Sequence, residues 1–282
     1  MAFAQVFAIG VSGVSAFAKS LEAISANIAN TGTVGYKRAH TDFADLVAAN
    51  VAERTGVAGG VGASNRSLAG EQGAITRTSA ETNIAVAGAG FFVVSREPGG
   101  APLLYTRSGD FSANAAGELV NGVGYFLQGH ATDAGGAVSV SGVAGLETVN
   151  IMRAPPVAAG APLPGELMGV EIDPAGRVFG RYATGEHIAL YQIPLALFAS
   201  VEGLDETSGS AFLSATAAGP LALVAPQSGR AGTIEGSALE ISTVDIGREF
   251  STLIETQRAY ASNARVISVA DELWRKLAET AA

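Results

Sequence analysis

Three histidines, His40, His130 and His187, fall in three separate segments with no metal-ligand spacing between them. An imidazole base needs a nucleophile within hydrogen-bond reach, and His130 with Asp133 sits at a glycine-bounded turn that offers none. The chain has 0 cysteines, which removes thiolate metal sites, disulfides and cysteine nucleophiles together. It carries no G-x-S-x-G elbow and no phosphate-cradling P-loop, and Gly88-Ala89-Gly90 precedes a strand pattern, which is backwards for dinucleotide binding. Carboxylates such as Glu81, Asp110, Glu118, Asp173, Glu186 and Asp205 mark turns. The segments 114–117 and 173–176 hold too few acidic oxygens for a calcium loop. The expectation is a protein without a catalytic site, a cofactor or a metal.

The elements carrying these residues come from a chain of 282 residues, 48% hydrophobic, enough to build substantial cores. Only 15% of residues are charged and the formal net charge is -9, which disfavours binding to phosphate backbones and so to nucleic acid. No run reaches the roughly 18 consecutive apolar residues of a membrane helix, so membrane insertion is not expected. The first basic residue, Lys19, comes too late for a cleaved signal peptide.

Residues 2 to 30 have helical spacing, with Asn30-Thr31-Gly32 as the stop and Gly10 and Gly13 lowering propensity by about 1 kcal/mol each. Residues 36–72 predict an extended or irregular arm, because Gly56, Gly59, Gly60 and Gly62 interrupt any period. From 73 to 129 the period becomes two, with Asn83 to Val86 and Phe91 to Val94 as strand cores and Asn114 to Gly117 as a hairpin turn. Residues 130–168, with Pro155-Pro156, Pro162 and Pro164, predict a linker or small β excursion with short strands at Val138 to Val140 and Thr148 to Ile151. Strand patterning resumes over 169–239 with a turn at Asp173 to Gly176. A final helix starts near Ser242 to Asp245, with Ser242 or Thr243 as its N-cap and Asp245 and Glu249 favoured by the helix dipole. The fold class is α+β, mainly β, with antiparallel strands between two long terminal helices.

Both terminal helices repeat apolar residues every seven positions. Phe7, Val14, Leu21 and Ile28, interleaved with Phe3, Gly10, Phe17 and Ile24, form the first stripe; Ile246, Leu253, Tyr260, Ile267 and Trp274, with Phe250, form the second. The second stripe is imperfect, since Gln257 and Asp271 occupy companion positions. Two arrangements remain open at this level: helices packed on their own β domain, or helices that pair and then pack between subunits. Only Lys19 and Glu22 charge the first 28 residues, so that helix is too apolar to face water all round.

Specific phrases then narrow the choice. Ser25-Ala26-Asn27-Ile28-Ala29-Asn30, followed by Thr31 to Arg38, resembles the N-terminal signature of bacterial flagellar rod and hook proteins. Ala87 to Val94, Tyr105 to Phe111, Gly117 to Val120 and Gly124 to Gly129 resemble the shared β domain of that family, and Gly180 to Glu186 and Gln192 to Phe198 match its second half. Gly236 to Asp245 and Gln257 to Tyr260 are similar to its C-terminal helix and lead-in. The likeness thins over 50–70 and 130–168. The Met1-Ala2-Phe3 start, Phe43 to Leu46, and Leu127 to His130 resemble the hook branch more than the distal rod branch. The modest length is nearer to the rod branch.

The resemblance implies a structural subunit of the flagellar axis, exported through the flagellar type III apparatus and polymerised outside the inner membrane. It implies partners of four kinds: copies of the chain in a helical homopolymer, neighbouring rod proteins, the hook cap and the hook-filament junction proteins. Residues 1–35 and 240–282 would form the helical assembly core, with Phe3, Phe7, Val14, Phe17, Leu21, Ile24, Ile28, Ile246, Phe250, Leu253, Tyr260, Ile267 and Trp274 in its seams.

Overall fold

A computed structural model describes residues 2–48, 57–157 and 164–280, with side chains described outside 1–6, 47–59 and 277. The chain divides into two compact units: residues 1–31, 38–68 and 244–282 form one, and residues 32–37 and 69–243 the other.

The first unit holds two long helices, α1 (Ala2–Ala29) and α2 (Ile246–Thr280), and a hairpin of β1 (Ala39–Ala48) with β2 (Val57–Ser67). Of the two forms expected for the arm over 36–72, the extended one is found, and as a regular hairpin: β1 pairs antiparallel with β2 from Ala39 opposite Ser67 to Ala48 opposite Val57. Gly60 does not break the strand, because its close approach to α1 requires a glycine. A Cβ on Gly60, at φ +112, would lie 2.3 Å from Ser12 Oγ, and that hydroxyl instead accepts the Val61 N–H at 3.1 Å. Lys19 Nζ donates to Ala63 O at 3.0 Å further along the same strand. Gly56 lies outside the described residues.

The N-cap of α2 is also corrected. Asp245 Oδ1 accepts the Arg248 N–H at 2.9 Å, the N-cap-to-N3 bond, so the helix begins three residues later than a Ser242 cap would place it.

The second unit is antiparallel throughout. Its first strands are β3 (Ile75–Arg77), β4 (Ile84–Ala87), β5 (Phe91–Ser95) and β6 (Leu103–Thr106), then β7 (Ser112–Ala113), β8 (Leu119–Val120), β9 (Phe126–Ala131) and β10 (Leu146–Thr148). The second half adds β11 (Leu167–Ile172), β12 (Arg177–Tyr182), β13 (His187–Gln192), β14 (Leu195–Leu197) and β15 (Asp205–Thr207). The last are β16 (Ala211–Leu213), β17 (Ala222–Val224), β18 (Thr233–Gly236) and β19 (Ala238–Glu240). The main sheet runs β11-β12-β13-β9-β5-β6-β16-β15, β14 joins β5 to β17, and β18 with β4 and β19 with β3 form small separate pairs.

The run Phe91 to Val94 is apolar without alternation because β5 is covered on both faces. Phe92 and Val94 join one core with Leu104, Phe111 and Leu127. Phe91 and Val93 join a second with Tyr105, Phe198 and Phe212, where Phe91 meets Phe212 edge-on at 5.8 Å and Tyr105 meets Phe198 at 4.8 Å. The turn at Asp173 to Gly176 joins β11 to β12; Asp173 Oδ1 accepts the Arg177 N–H at 2.8 Å, and Gly176 supplies the positive φ of +79.

Two expected boundaries move. The segment from 130 belongs in good part to the β unit, since β10 pairs with β9 and Thr132 bridges Val138. The strand there is Leu146–Thr148, in place of strands at 138–140 and 148–151, while Pro162 lies outside the described residues. At the C-terminal side, β19 pairs with β3, so residues 240–243 belong to the β unit and the helical segment starts at Val244.

Candidate functional site

The surface of the helical unit is the candidate site, and it follows from which side of each helix is used inside that unit. In α1 the buried stripe is Gly10, Gly13, Ala16, Ser20, Ala23, Ile24 and Asn27. In α2 it is Glu249, Thr256 and Ala270, with Asn263 half-buried, a strict seven-residue repeat of small or polar side chains. The α1 stripe meets α2 at Asn263 of that repeat and at the half-buried Ile267 beside it: a Cβ on Gly13 would lie 2.9 Å from Asn263 Oδ1, and one on Gly10 2.9 Å from Ile267 Cγ1. The glycines that lower helix propensity therefore set how closely α1 and α2 approach.

Polar groups fix the end of this packing. Glu249, 1% exposed, accepts from Arg38 Nε at 2.6 Å and from Asn27 Nδ2 at 3.1 Å. Asn27 also exchanges two bonds of 2.8 Å with Ala39, accepting its N–H and donating to its carbonyl. Glu249 thus acts through a buried charge-assisted network, a role the helix-dipole argument did not anticipate.

Among the proposed seam residues, the structure buries Ile24 and half-buries Val14, Phe17, Leu21, Ile28, Leu253 and Ile267. Phe17 also packs on Phe43 of β1 at 5.5 Å. Phe7, Ile246, Phe250, Tyr260 and Trp274 are exposed, by 47, 46, 48, 37 and 60%. The side chain of Phe3 lies outside those described. Ile254, Val266, Val269 and Leu273 are exposed as well, so the large apolar side chains of α2 face outward over most of its length. An exposed apolar surface of this extent marks a contact site.

By length and composition alone the segment Phe7–Ala29 is apolar enough to cross a membrane, which the count of consecutive apolar residues missed. Its buried Ser20 and Asn27, 7 and 1% exposed, are groups that hydrocarbon would penalise unless paired.

The β unit contains a second network that the sequence did not single out. Lys37 Nζ donates to Glu240 Oε1 and to Glu71 O, Arg107 donates to Glu240 Oε2 at 3.2 Å, and the Gly73 N–H donates to Glu240 Oε1 at 2.7 Å. Gly35 donates its N–H to Glu240 O at 2.8 Å, and its φ of +67 brings the chain so near Ser108 that a Cβ would lie 2.4 Å from that N. Burial is the main influence on Lys37 and lowers its pKa, with Glu240 opposing. Burial lowers that of Arg107 in the same way.

The chemistry-bearing residues of the sequence stay apart. His130 is buried in β9 with Nε2 2.9 Å from Gly142 O, whereas His40 faces Asp42 at 3.6 Å and His187 faces Glu171 at 3.5 Å. Asp133 Oδ1 accepts the Gly135 and Ala137 N–H groups at 2.8 and 2.9 Å, a turn role. Among the described residues no three metal-ligating side chains converge.

Comparison with known proteins bears on this surface. Residues 7–37 match the family described as flagella basal body rod protein, 85–180 the flagellar hook protein FlgE/F/G D1 domain, and 235–280 the flagellar basal body rod FlgEFG protein C-terminal region. The chain is 31% identical to the flagellar basal-body rod protein FlgG of Caulobacter vibrioides over 285 positions, covering 95% of this chain and 96% of that one. It is 28% identical to the flagellar hook protein FlgE of Brucella suis over 381 positions, covering 94% and 96%. The FlgG protein of Bacillus subtilis is 28% identical over 281 positions, covering 95% and 96%.

Proposed function

The chain belongs to the family of flagellar hook and rod proteins, and from that premise we propose that it polymerises into the hook, the flexible joint that carries torque from rod to filament. It is a structural subunit of the flagellar axis. The observation that supports the polymer is the division of labour on its helices. The most deeply buried positions of each helix are mostly small or polar, while Phe7, Ile246, Phe250, Tyr260 and Trp274 stay exposed. Covering the exposed half of each such side chain is worth on the order of 1 kcal/mol, and a head-to-tail contact that repeats without closing generates a helical filament. The terminal helices would then form the coiled-coil-like core, with rod, cap and hook-filament junction proteins at its ends. Export through the flagellar type III apparatus would place the polymer outside the cell.

Seeded assembly of the purified full chain, imaged by electron microscopy, tests the polymer. Filaments are expected, and a chain that stays monomeric with seeds at all concentrations would sink the reading. A secreted enzyme or binding module, the competing class, would behave that way.

A second reading, the distal rod, is favoured by one observation. The FlgG alignment of 285 positions is close to this chain's length, while the FlgE alignment of 381 positions exceeds its 282 residues. Deleting the gene separates the two: basal bodies that keep a complete rod and lack only the hook support the hook, and loss of the distal rod supports the other.

A further inference from the structure

The chain holds a single Asn-Gly pair, Asn121-Gly122, in the turn between β8 and β9. In such a pair the glycine nitrogen can attack the asparagine side-chain amide, because no Cβ shields the backbone there. Whether a fold speeds or blocks this step depends on what holds the attacking N–H and what holds the amide.

The Gly122 N–H donates to Asp110 Oδ2 at 3.2 Å, and a carboxylate in that place is a base aimed at the attacking nitrogen. The Ser108 hydroxyl donates to the other oxygen of Asp110 and fixes its direction. Asn121 Oδ1 accepts the Val123 and Tyr125 N–H groups at 3.2 and 2.8 Å, two donors on the oxygen where negative charge would gather. Asn121 Nδ2 is buried with no hydrogen-bond partner, so keeping it carries a desolvation penalty that its loss removes. Gly122 is exposed and admits water. Asn114 supplies the contrast. Its Oδ1 accepts the Ala116 and Glu118 N–H groups at 2.9 and 3.0 Å, but its Nδ2 donates to Glu118 at 2.9 Å and an alanine follows it.

We propose that Asn121-Gly122 is a self-modification site, deamidated in the folded chain with Asp110 as its base. The Gly122 nitrogen passes its proton to Asp110 and bonds to Asn121 Cγ; the Cγ–Nδ2 bond then breaks, and ammonia leaves with that proton. Water opens the resulting succinimide ring to aspartate or isoaspartate, according to which carbonyl it attacks. Either product adds a negative charge to the turn, and isoaspartate also lengthens its backbone by a methylene.

The test incubates the full chain, folded and in urea, at about pH 6, where hydroxide is too scarce to serve as the base. Mass spectrometry of the tryptic peptide Ser108–Arg153 then locates the exchange of NH2 for OH. Asn121 is expected to react faster in the folded chain than in urea, while Asn114 of the same peptide stays intact. Asp110→Asn is expected to slow the folded chain about a hundredfold. Reaction in the folded chain no faster than in urea would mean that the turn only restrains Asn121, and it overturns the proposal even if Asp110→Asn fails to fold. A folded Asp110→Asn chain that reacts at the wild-type rate overturns Asp110 as the base.

Discussion

Arg38 Nε donates to Glu249 Oε1 at 2.6 Å and so ties the start of β1 to the first turn of α2 across 211 residues of sequence. Glu249 also holds Asn27 near the end of α1, so a single carboxylate orders three elements of the helical unit. Glu249→Ala would remove this carboxylate from both Arg38 and Asn27, at a cost of about 3 kcal/mol. Hydrogen exchange should show faster opening over residues 20–48 and 246–256, with residues 84–131 of the β unit unchanged. Equal acceleration in both units would show that the network does not act locally.

The helices, the β unit and the family phrases were legible because their signals are local: apolar periods, turn residues, and strings such as Asn27 to Arg38. The orientation of the helices was not. Large apolar side chains make the stronger heptad, and the natural inference is that they fill the seam. Within one chain the deeply buried positions of α2 fall on the weaker heptad, Glu249, Thr256 and Ala270 with Asn263, and Leu253 and Ile267 are half-buried beside it; Gly13 lies against Asn263 and Gly10 against Ile267. Ile246, Tyr260 and Trp274 of the apolar heptad stay exposed and are left for other contacts. The glycine-rich strand β2 was missed for a related reason, since Gly60 serves the approach of α1 and nothing in its neighbours along the chain announces that. Glu240 was visible within a family phrase, yet its three cationic and amide partners come from segments 133 to 203 residues away.

Gly10→Leu tests the close approach of the helices. The added side chain must displace Ile267, since even a Cβ would stand 2.9 Å from its Cγ1, and overpacking of this kind costs about 1 to 3 kcal/mol. Helical circular dichroism should melt earlier while the β unit keeps its near-ultraviolet spectrum. An unchanged helical transition would show that α1 and α2 do not depend on this contact.

Lys37 predicts a pH dependence. Burial lowers its pKa from the ordinary 10.5, so below that value the unfolded chain binds more protons than the folded one and stability rises with pH. Tyr105, Tyr182 and Tyr191 have pKa values raised by burial from 10.0, and their contribution falls as pH climbs above that value. Urea unfolding of the β unit should therefore strengthen with pH on approaching 10, then weaken. Lys37→Met should flatten the rising limb alone, and an identical rise in that variant would exclude Lys37 as its source.

The outward apolar stripe makes the most direct claim on assembly. Phe250 and Trp274 are 48 and 60% exposed, so Phe250→Asp or Trp274→Asp should leave the unassembled chain's stability within about 0.5 kcal/mol. In a polymer the same carboxylate would be desolvated and unpaired, and assembly should fail. Ile267→Asp differs because Ile267 is half-buried beneath Gly10; it should weaken the helical unit as well as block polymerisation. Sedimentation of seeded mixtures measures assembly, and helical melting measures the unit. Wild-type filaments from Phe250→Asp and Trp274→Asp would show that these side chains lie outside the subunit contact. Loss of assembly with an unchanged melt would locate the contact on that face of α2.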